Sequence, residues 1–185
     1  MVATVLVITC WTLLMAYWNI AARSVKPPEE RQTSAARLAR IPVWLGFLLF
    51  LAAWIFPFGA VAVHRTHLSD SVGVAICAFG LLFAIWSRRT LGAEWSRDVE
   101  LKRGHALVRS GPYRLVRHPI YTAHLLMGLG TAIASGLLIA FAGFASLALG
   151  FWIKLRQEEE LLLRSFPNEY PVYKRHVKGL VPYLF

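Results

Sequence analysis

The sequence predicts an all-α integral membrane protein of about five transmembrane helices, the last two forming a C-terminal helical hairpin. Three observations lead to that class. Of 185 residues, 57% are hydrophobic and only 16% charged, and the mean hydropathy of +0.51 is wrong for a soluble domain. The apolar residues fall in blocks about as long as a bilayer is thick. The 20 lysines and arginines, which leave a formal charge of +10, stand between those blocks. Placed there, they read as topology signals and not as a nucleic-acid surface.

The first block, Val2 to Ala22, lacks a basic start and is too long for a signal-peptide core, so it is expected to be a retained helix. The second runs from Ile41 to Val63, where Pro57 and Gly59 predict a kink. The third, Val72 to about Trp86, is short and is expected to begin nearer Leu68. The fourth, Ile120 to Ile153, is too long for one helix and short for two complete crossings. Ala134-Ser135-Gly136 in its middle predicts a tight turn, hence a hairpin. Along it Ala142, Ser146 and Gly150 recur every fourth position, a small-residue stripe that lets helices approach. Cys10 and Cys77 lie inside apolar runs and read as small core residues. His64 and His67 in the HRTH stretch lack further ligand-type neighbours and read as surface histidines, so no metal is expected.

Basic residues accumulate on cytoplasmic flanks. Arg23, Lys26, Arg31, Arg37 and Arg40 follow the first helix, eight bases lie between Arg88 and Arg117, and six between Lys154 and Lys178. The His64–Ser71 loop holds only Arg65. Five crossings with the N-terminus outside and the C-terminus cytoplasmic satisfy all four. Residues 1–89 then form an N-terminal unit of three helices. Residues 90–185 form a second unit of cytoplasmic loop, hairpin and helical tail.

Two polar clusters flank the hairpin. The first is GHALVRSGPYRLVRHPIY, Gly104 to Tyr121. Gly104 and Gly111-Pro112 are turn signals, the short run Ala106-Leu107-Val108 can lie extended, and Pro119 suits the first turn of a helix. His118 and Tyr121 then stand at the hairpin mouth, where unpaired helix amides favour an anion. Anchoring to lipid headgroups is the alternative role for Arg114, Arg117 and His118, and Arg114 suits it at least as well. The second cluster, Ile153 to His176, leaves the membrane as a helix. Lys154 and Glu158, four apart, share a face, and Leu155, Leu162 and Phe166 supply packing. Glu158, Glu159 and Glu160 are costly beside a bilayer unless they face water or a cationic partner. Both clusters adjoin one hairpin on the same side, which makes them neighbours.

The pattern G-H-x-L-V-x-x-G-x-Y-x-x-x-R-H-P-x-Y, followed after a hairpin by E-E-x-x-L-x-x-x-F-x-x-x-Y-x-x-Y, resembles the isoprenylcysteine carboxyl methyltransferase family, itself similar to phospholipid N-methyltransferases. The resemblance covers Trp95 to about Pro182. It implies S-adenosylmethionine as methyl donor, a cofactor-binding region on the cytoplasmic side, and a hydrophobic or lipid-linked acceptor. Carried over by position, His105, Ala106, Leu107, Val108, Tyr113, His118, Pro119, Ile120 and Tyr121 would line the cofactor and Glu158 would hold one of its polar groups. On the acceptor or catalytic side stand Lys154, Arg156, Arg117 and Glu159. The family's arginine four residues before the first glutamate is Lys154 here, which keeps the charge without the two-pronged grip on a carboxylate. Pro167 replaces a glycine common after the phenylalanine.

A carboxylate acceptor needs no general base, because opposite charges cancel as the bond forms. An amine acceptor must lose a proton, and Glu159 or His118 would serve as base. The expected activity is carboxyl O-methylation of isoprenylcysteine type. Phospholipid amine methylation, an NADPH enzyme resembling sterol reductases and a lipid-binding scaffold are the alternatives.

Overall fold

A computed structural model describes residues 2–22, 28–31, 38, 40–55, 62–63, 65–95, 100–102 and 106–182. Helix α1 is Val2–Ala21, α2 Arg40–Ile55, α3 His67–Leu91, α4 Pro119–Ser135, α5 Leu138–Ser165 and α6 Tyr170–His176. A two-stranded antiparallel ribbon, β1 Pro28–Arg31 with β2 Glu100–Lys102, is an addition to the all-helical expectation. Neither stretch carries the alternating apolar pattern that announces a strand.

Among the described residues three helices are long and apolar enough to cross a membrane: α1, α3 with its 3₁₀ extension to Glu94, and α5. Helix α2 has 16 described residues, and Pro57 and Gly59 lie outside the described set. Helix α4 has 17 residues. Helix α5 has 28, which at 1.5 Å each makes about 42 Å, some 12 Å beyond a hydrocarbon core of about 30 Å. Glu158, Glu159 and Glu160 therefore ride on the overhang.

Helix α3 is longer than its apolar run because both ends are polar-capped. Thr66 and Ser69 form a reciprocal capping box at the start. At the end buried Arg88 donates to Gly92 O at 2.6 Å and to Ala21 O at 2.7 Å, and its guanidinium lies 4.6 Å from the Trp95 ring. One arginine thus meets the terminal carbonyls of two helices, where the negative dipole ends favour it.

The hairpin turn forms at the predicted place, with Gly136 at φ 63° as the left-handed cap of α4. Its carbonyl accepts from the Val63 amide at 2.8 Å, so the α2–α3 loop and the hairpin turn share one end of the bundle. Helices α3 and α4 touch backbone to backbone: a Cβ on Gly73 would stand 2.5 Å from Ala134 N, and one on Gly130 2.5 Å from Gly73 O. Helix α2 meets α5 in the same way at Gly46 and Gly143. The small-residue stripe is thus realised with a shift. Ser146 donates to Pro42 O at 2.8 Å and Gly150 is buried, but Ala142 is exposed and Gly143 makes the close approach. Repeats of four drift around a helix of 3.6 residues per turn, so contact moves to 140, 143, 147 and 150. Cys77 is fully buried and Cys10 half-buried, both in the core of α1, α3 and α4.

Candidate functional site

The end of the bundle opposite the hairpin turn gathers the polar residues. Gly111 opens a 3₁₀ turn, Gly111–Arg114, at φ 57°, where a Cβ would also press to 3.0 Å from Thr90 Oγ1. Glycine is required there. The turn buries Tyr113, whose carbonyl accepts from the Tyr173 hydroxyl at 2.5 Å. Burial raises the Tyr113 phenol well above its ordinary range and pushes Tyr173 up to about 12.

The chain then reaches Arg117 and His118, the residues before the N1 proline of α4. Their amides donate to Lys178 O at 2.8 Å and Gly179 O at 3.0 Å, and Thr122 Oγ1 donates to Leu180 O at 2.7 Å. The C-terminal stretch 177–180 is thereby strapped across the start of α4.

Side chains of α4 and α5 converge beneath this strap. The His118 ring stacks parallel on Tyr121 with centroids 5.5 Å apart, and Tyr121 stacks on Phe151 at 5.0 Å. The Tyr121 hydroxyl donates to Glu158 Oε2 at 2.6 Å, and His118 Nδ1 lies 3.5 Å from the same oxygen. His118 Nε2 lies 3.4 Å from Glu159 Oε1. Arg117 Nε donates to that oxygen at 2.9 Å and Lys174 Nζ to Glu159 Oε2 at 2.5 Å. Arg117 also donates to Val177 O. The Lys154 ammonium stands 5.6 Å from the centre of the Tyr121 ring.

The two carboxylates differ in availability. Glu159 is 7% exposed and both its oxygens are engaged by cations, whereas Glu158 keeps 36% of its side chain exposed. Among the described residues no hydrogen bond reaches Glu158 Oε1. Burial alone would lower the His118 pKa, but its hydrogen bonds to Glu158 and Glu159 outweigh burial and raise it. The arrangement is a half-open carboxylate beside a stacked aromatic wall, with a lysine over the same wall.

Of the residues singled out from the sequence, the structure brings together Arg117, His118, Tyr121, Lys154, Glu158 and Glu159. Pro119 and Ile120 form the first turn of α4 beside them. Ala106, Leu107 and Val108 lie in the irregular approach to the 3₁₀ turn, the first exposed and the others half-buried. His105 lies outside the described residues, as does His64, while His67 opens α3. Arg156 stays apart: it is exposed and lies 4.7 Å over the Trp152 ring on the outer face of α5. Arg114 is exposed too. Sequence reasoning missed Lys174, Phe151 and the 177–180 strap. Lys174 carried no signal beyond lying next to the Y-x-x-Y pair, and the strap acts through backbone atoms that any sequence supplies.

A profile of the isoprenylcysteine carboxyl methyltransferase family matches residues 73–164, from the glycine contact of α3 to the glutamates of α5. The protein-S-isoprenylcysteine O-methyltransferase of Tribolium castaneum is 25% identical over 92% of this chain and 63% of its own length. Over residues 73–164 this chain is similar to the isoprenylcysteine carboxyl methyltransferase family. The human protein-S-isoprenylcysteine O-methyltransferase is 28% identical over 80% of this chain and 51% of its own length. The cobalt-zinc-cadmium resistance protein CzcN of Cupriavidus metallidurans is 31% identical over 78% of this chain and 64% of its own length. The chain spans less than two thirds of the length of each of these relatives. The region matched by the isoprenylcysteine carboxyl methyltransferase profile contains Arg117, His118, Tyr121, Lys154, Glu158 and Glu159, but not Lys174 or the strap.

Proposed function

We propose that this protein is an S-adenosylmethionine-dependent methyltransferase that esterifies the carboxylate of a lipid-linked acceptor of isoprenylcysteine type at the membrane surface. The observation that carries the reading is the convergence of Tyr121 and Glu158, 37 positions apart in sequence, at 2.6 Å. Relatives that carry the O-methyltransferase name support it.

When bound, S-adenosylmethionine supplies an electrophilic methyl group on a sulfonium. The residues fit a cationic, polar-tailed molecule. Glu158 offers an accessible carboxylate, and Tyr121 and Phe151 present ring faces that attract cations. Tyr113, His118 and the Ala106–Val108 backbone complete the set that would hold it.

Lys154 is the acceptor-side cation in this reading, neutralising a carboxylate brought against the Tyr121 wall. A carboxylate is already ionised and needs no base, only positioning in a dry site. That requirement matches the structure better than amine methylation does. Glu159 is occupied by Arg117 and Lys174, and both ring nitrogens of His118 face glutamate oxygens, which leaves neither as a free base. An apolar cleft of about 430 Å³ between α1, α2 and α4, lined by Trp11, Met15, Phe47, Phe50 and Trp54 with Thr131, suits the lipid portion. The topology that goes with this reading has five spans, the N-terminus outside and the C-terminus and cofactor region on the cytoplasmic side. The end of α3, where Arg88 meets Ala21 of α1 and Thr90 packs against Gly111 just before the hairpin mouth, supports placing these elements at one end.

A thermal-shift titration in detergent tests the reading. S-adenosylhomocysteine should raise the midpoint and NADPH should not. A response to NADPH alone contradicts it.

A further inference from the structure

His124 is a polar side chain that the proposed reaction does not use. It follows Tyr121 by three residues on α4, about 4.5 Å further toward the hairpin turn. Its Nδ1 lies 2.7 Å from Ile120 O. A carbonyl only accepts, so Nδ1 carries the proton. The ring is enclosed by Trp18 at 5.6 Å, Trp11 at 6.2 Å and Phe151 at 5.4 Å. A second proton would place a cation among apolar rings within the bundle without a carboxylate facing it among the described residues, a costly state at bilayer depth. The imidazole is therefore neutral, and Nε2 presents a lone pair that no described residue engages.

The position of that lone pair gives it a use. Phe151 is shared between His124 and Tyr121, the ring over which Lys154 stands. Trp11 is shared between His124 and the apolar cleft. His124 thus stands between the cation that would hold a carboxylate and the cleft that would hold a lipid. A leucine or phenylalanine would complete this aromatic wall without bringing a buried polar atom, so the imidazole nitrogen is the distinguishing feature of the position.

We infer that His124 is a specificity-determining residue whose Nε2 accepts a hydrogen bond from an N–H adjacent to the acceptor's carboxylate. The preferred acceptor is then a lipid-linked amino acid and not a plain lipid acid. This rests on the carboxylate-acceptor reading above. A site built to pair with a donor discriminates against an analogue that lacks it, because its own acceptor is left unpaired.

The test uses two acids that differ in that N–H, N-acetyl-S-farnesylcysteine and S-farnesyl-3-mercaptopropionate. Each is titrated against the full chain saturated with S-adenosylhomocysteine, with tryptophan fluorescence as readout because Trp11 and Trp18 flank the ring. The wild type should bind the amide-bearing acid about tenfold tighter. His124→Leu should bring the ratio near one, and His124→Gln, which restores an acceptor oxygen, should recover most of it. A retained thermal response to S-adenosylhomocysteine reports that each variant is folded. An unchanged preference in His124→Leu overturns the inference, and so does equal binding of the two acids by wild type, which needs no variant. If wild type binds neither acid and transfers labelled methyl to neither, the carboxylate-acceptor reading has failed and His124's role falls with it.

Discussion

The two ends of the α4–α5 hairpin are built from opposite materials. At the turn, Gly136 caps α4, and slightly below it Gly130 lies against Gly73 with no side chain between the helices. At the mouth, His118, Tyr121, Lys154, Glu158 and Glu159 meet through ion pairs and stacked rings. The closed end fixes how α4 stands against its neighbours, and the open end uses that placement to hold charges that α4 and α5 could not hold separately. Within the mouth the contrast repeats on a smaller scale. Adjacent glutamates are divided between tasks, Glu159 locked to Arg117 and Lys174 and Glu158 left half-open.

The largest effect should come from the closed end. Gly73→Leu drives a side chain into the α4 backbone and should cost about 3 kcal/mol or more, seen as a lost or strongly lowered thermal midpoint in detergent. A midpoint within a degree or two of wild type would show that the α3–α4 contact is not the anchor. Next is Glu159→Gln, which leaves Arg117, its side chain 9% exposed, short of its counter-charge. It should destabilise the protein by roughly 2–3 kcal/mol, since removing one partner of a buried pair is costly.

Glu158→Gln should reverse that signature. Its exposure limits the loss of stability to about 1 kcal/mol, while the thermal response to S-adenosylhomocysteine should weaken at least tenfold in required ligand concentration. If the two glutamine variants behave alike, the division of labour is wrong. Lys154→Ala should spare that response and lower turnover, with Lys154→Arg in between.

The smallest expected effect concerns pH. The folded-state pKa of His118 is raised above its ordinary value near 6.5. Its contribution to stability is therefore complete below about 6.5 and lost as pH rises through the raised value. The unliganded midpoint should fall as pH rises across that window, and His118→Phe should flatten the slope.

The contrast also explains what the sequence disclosed. Helices announced themselves by apolar length, the hairpin turn by Ala134-Ser135-Gly136, and the mouth by two clusters of polar residues where polarity is expensive. Other features left no such trace. The register of the small-residue stripe depends on which face of α5 meets α2, and Gly143 in place of Ala142 is visible only after packing. The extension of α3 past Trp86 depends on Arg88 finding the end of α1. Lys174 and the 177–180 strap are contacts across about 60 residues or the turn between helices, and local patterns carry no record of such partners. One histidine in an apolar helix reads as packing until its neighbours are known, and His124 is such a residue.

The most direct measurement is methyl transfer itself. Purified protein in detergent with added lipid would be given methyl-labelled S-adenosylmethionine and N-acetyl-S-farnesylcysteine, and the label recovered as a base-labile ester or as a stable N-methyl group. The account predicts base-labile label in wild type and its loss in Glu158→Gln at donor concentrations that saturate wild type. Base-stable label, or ester formation undiminished in Glu158→Gln, would contradict it.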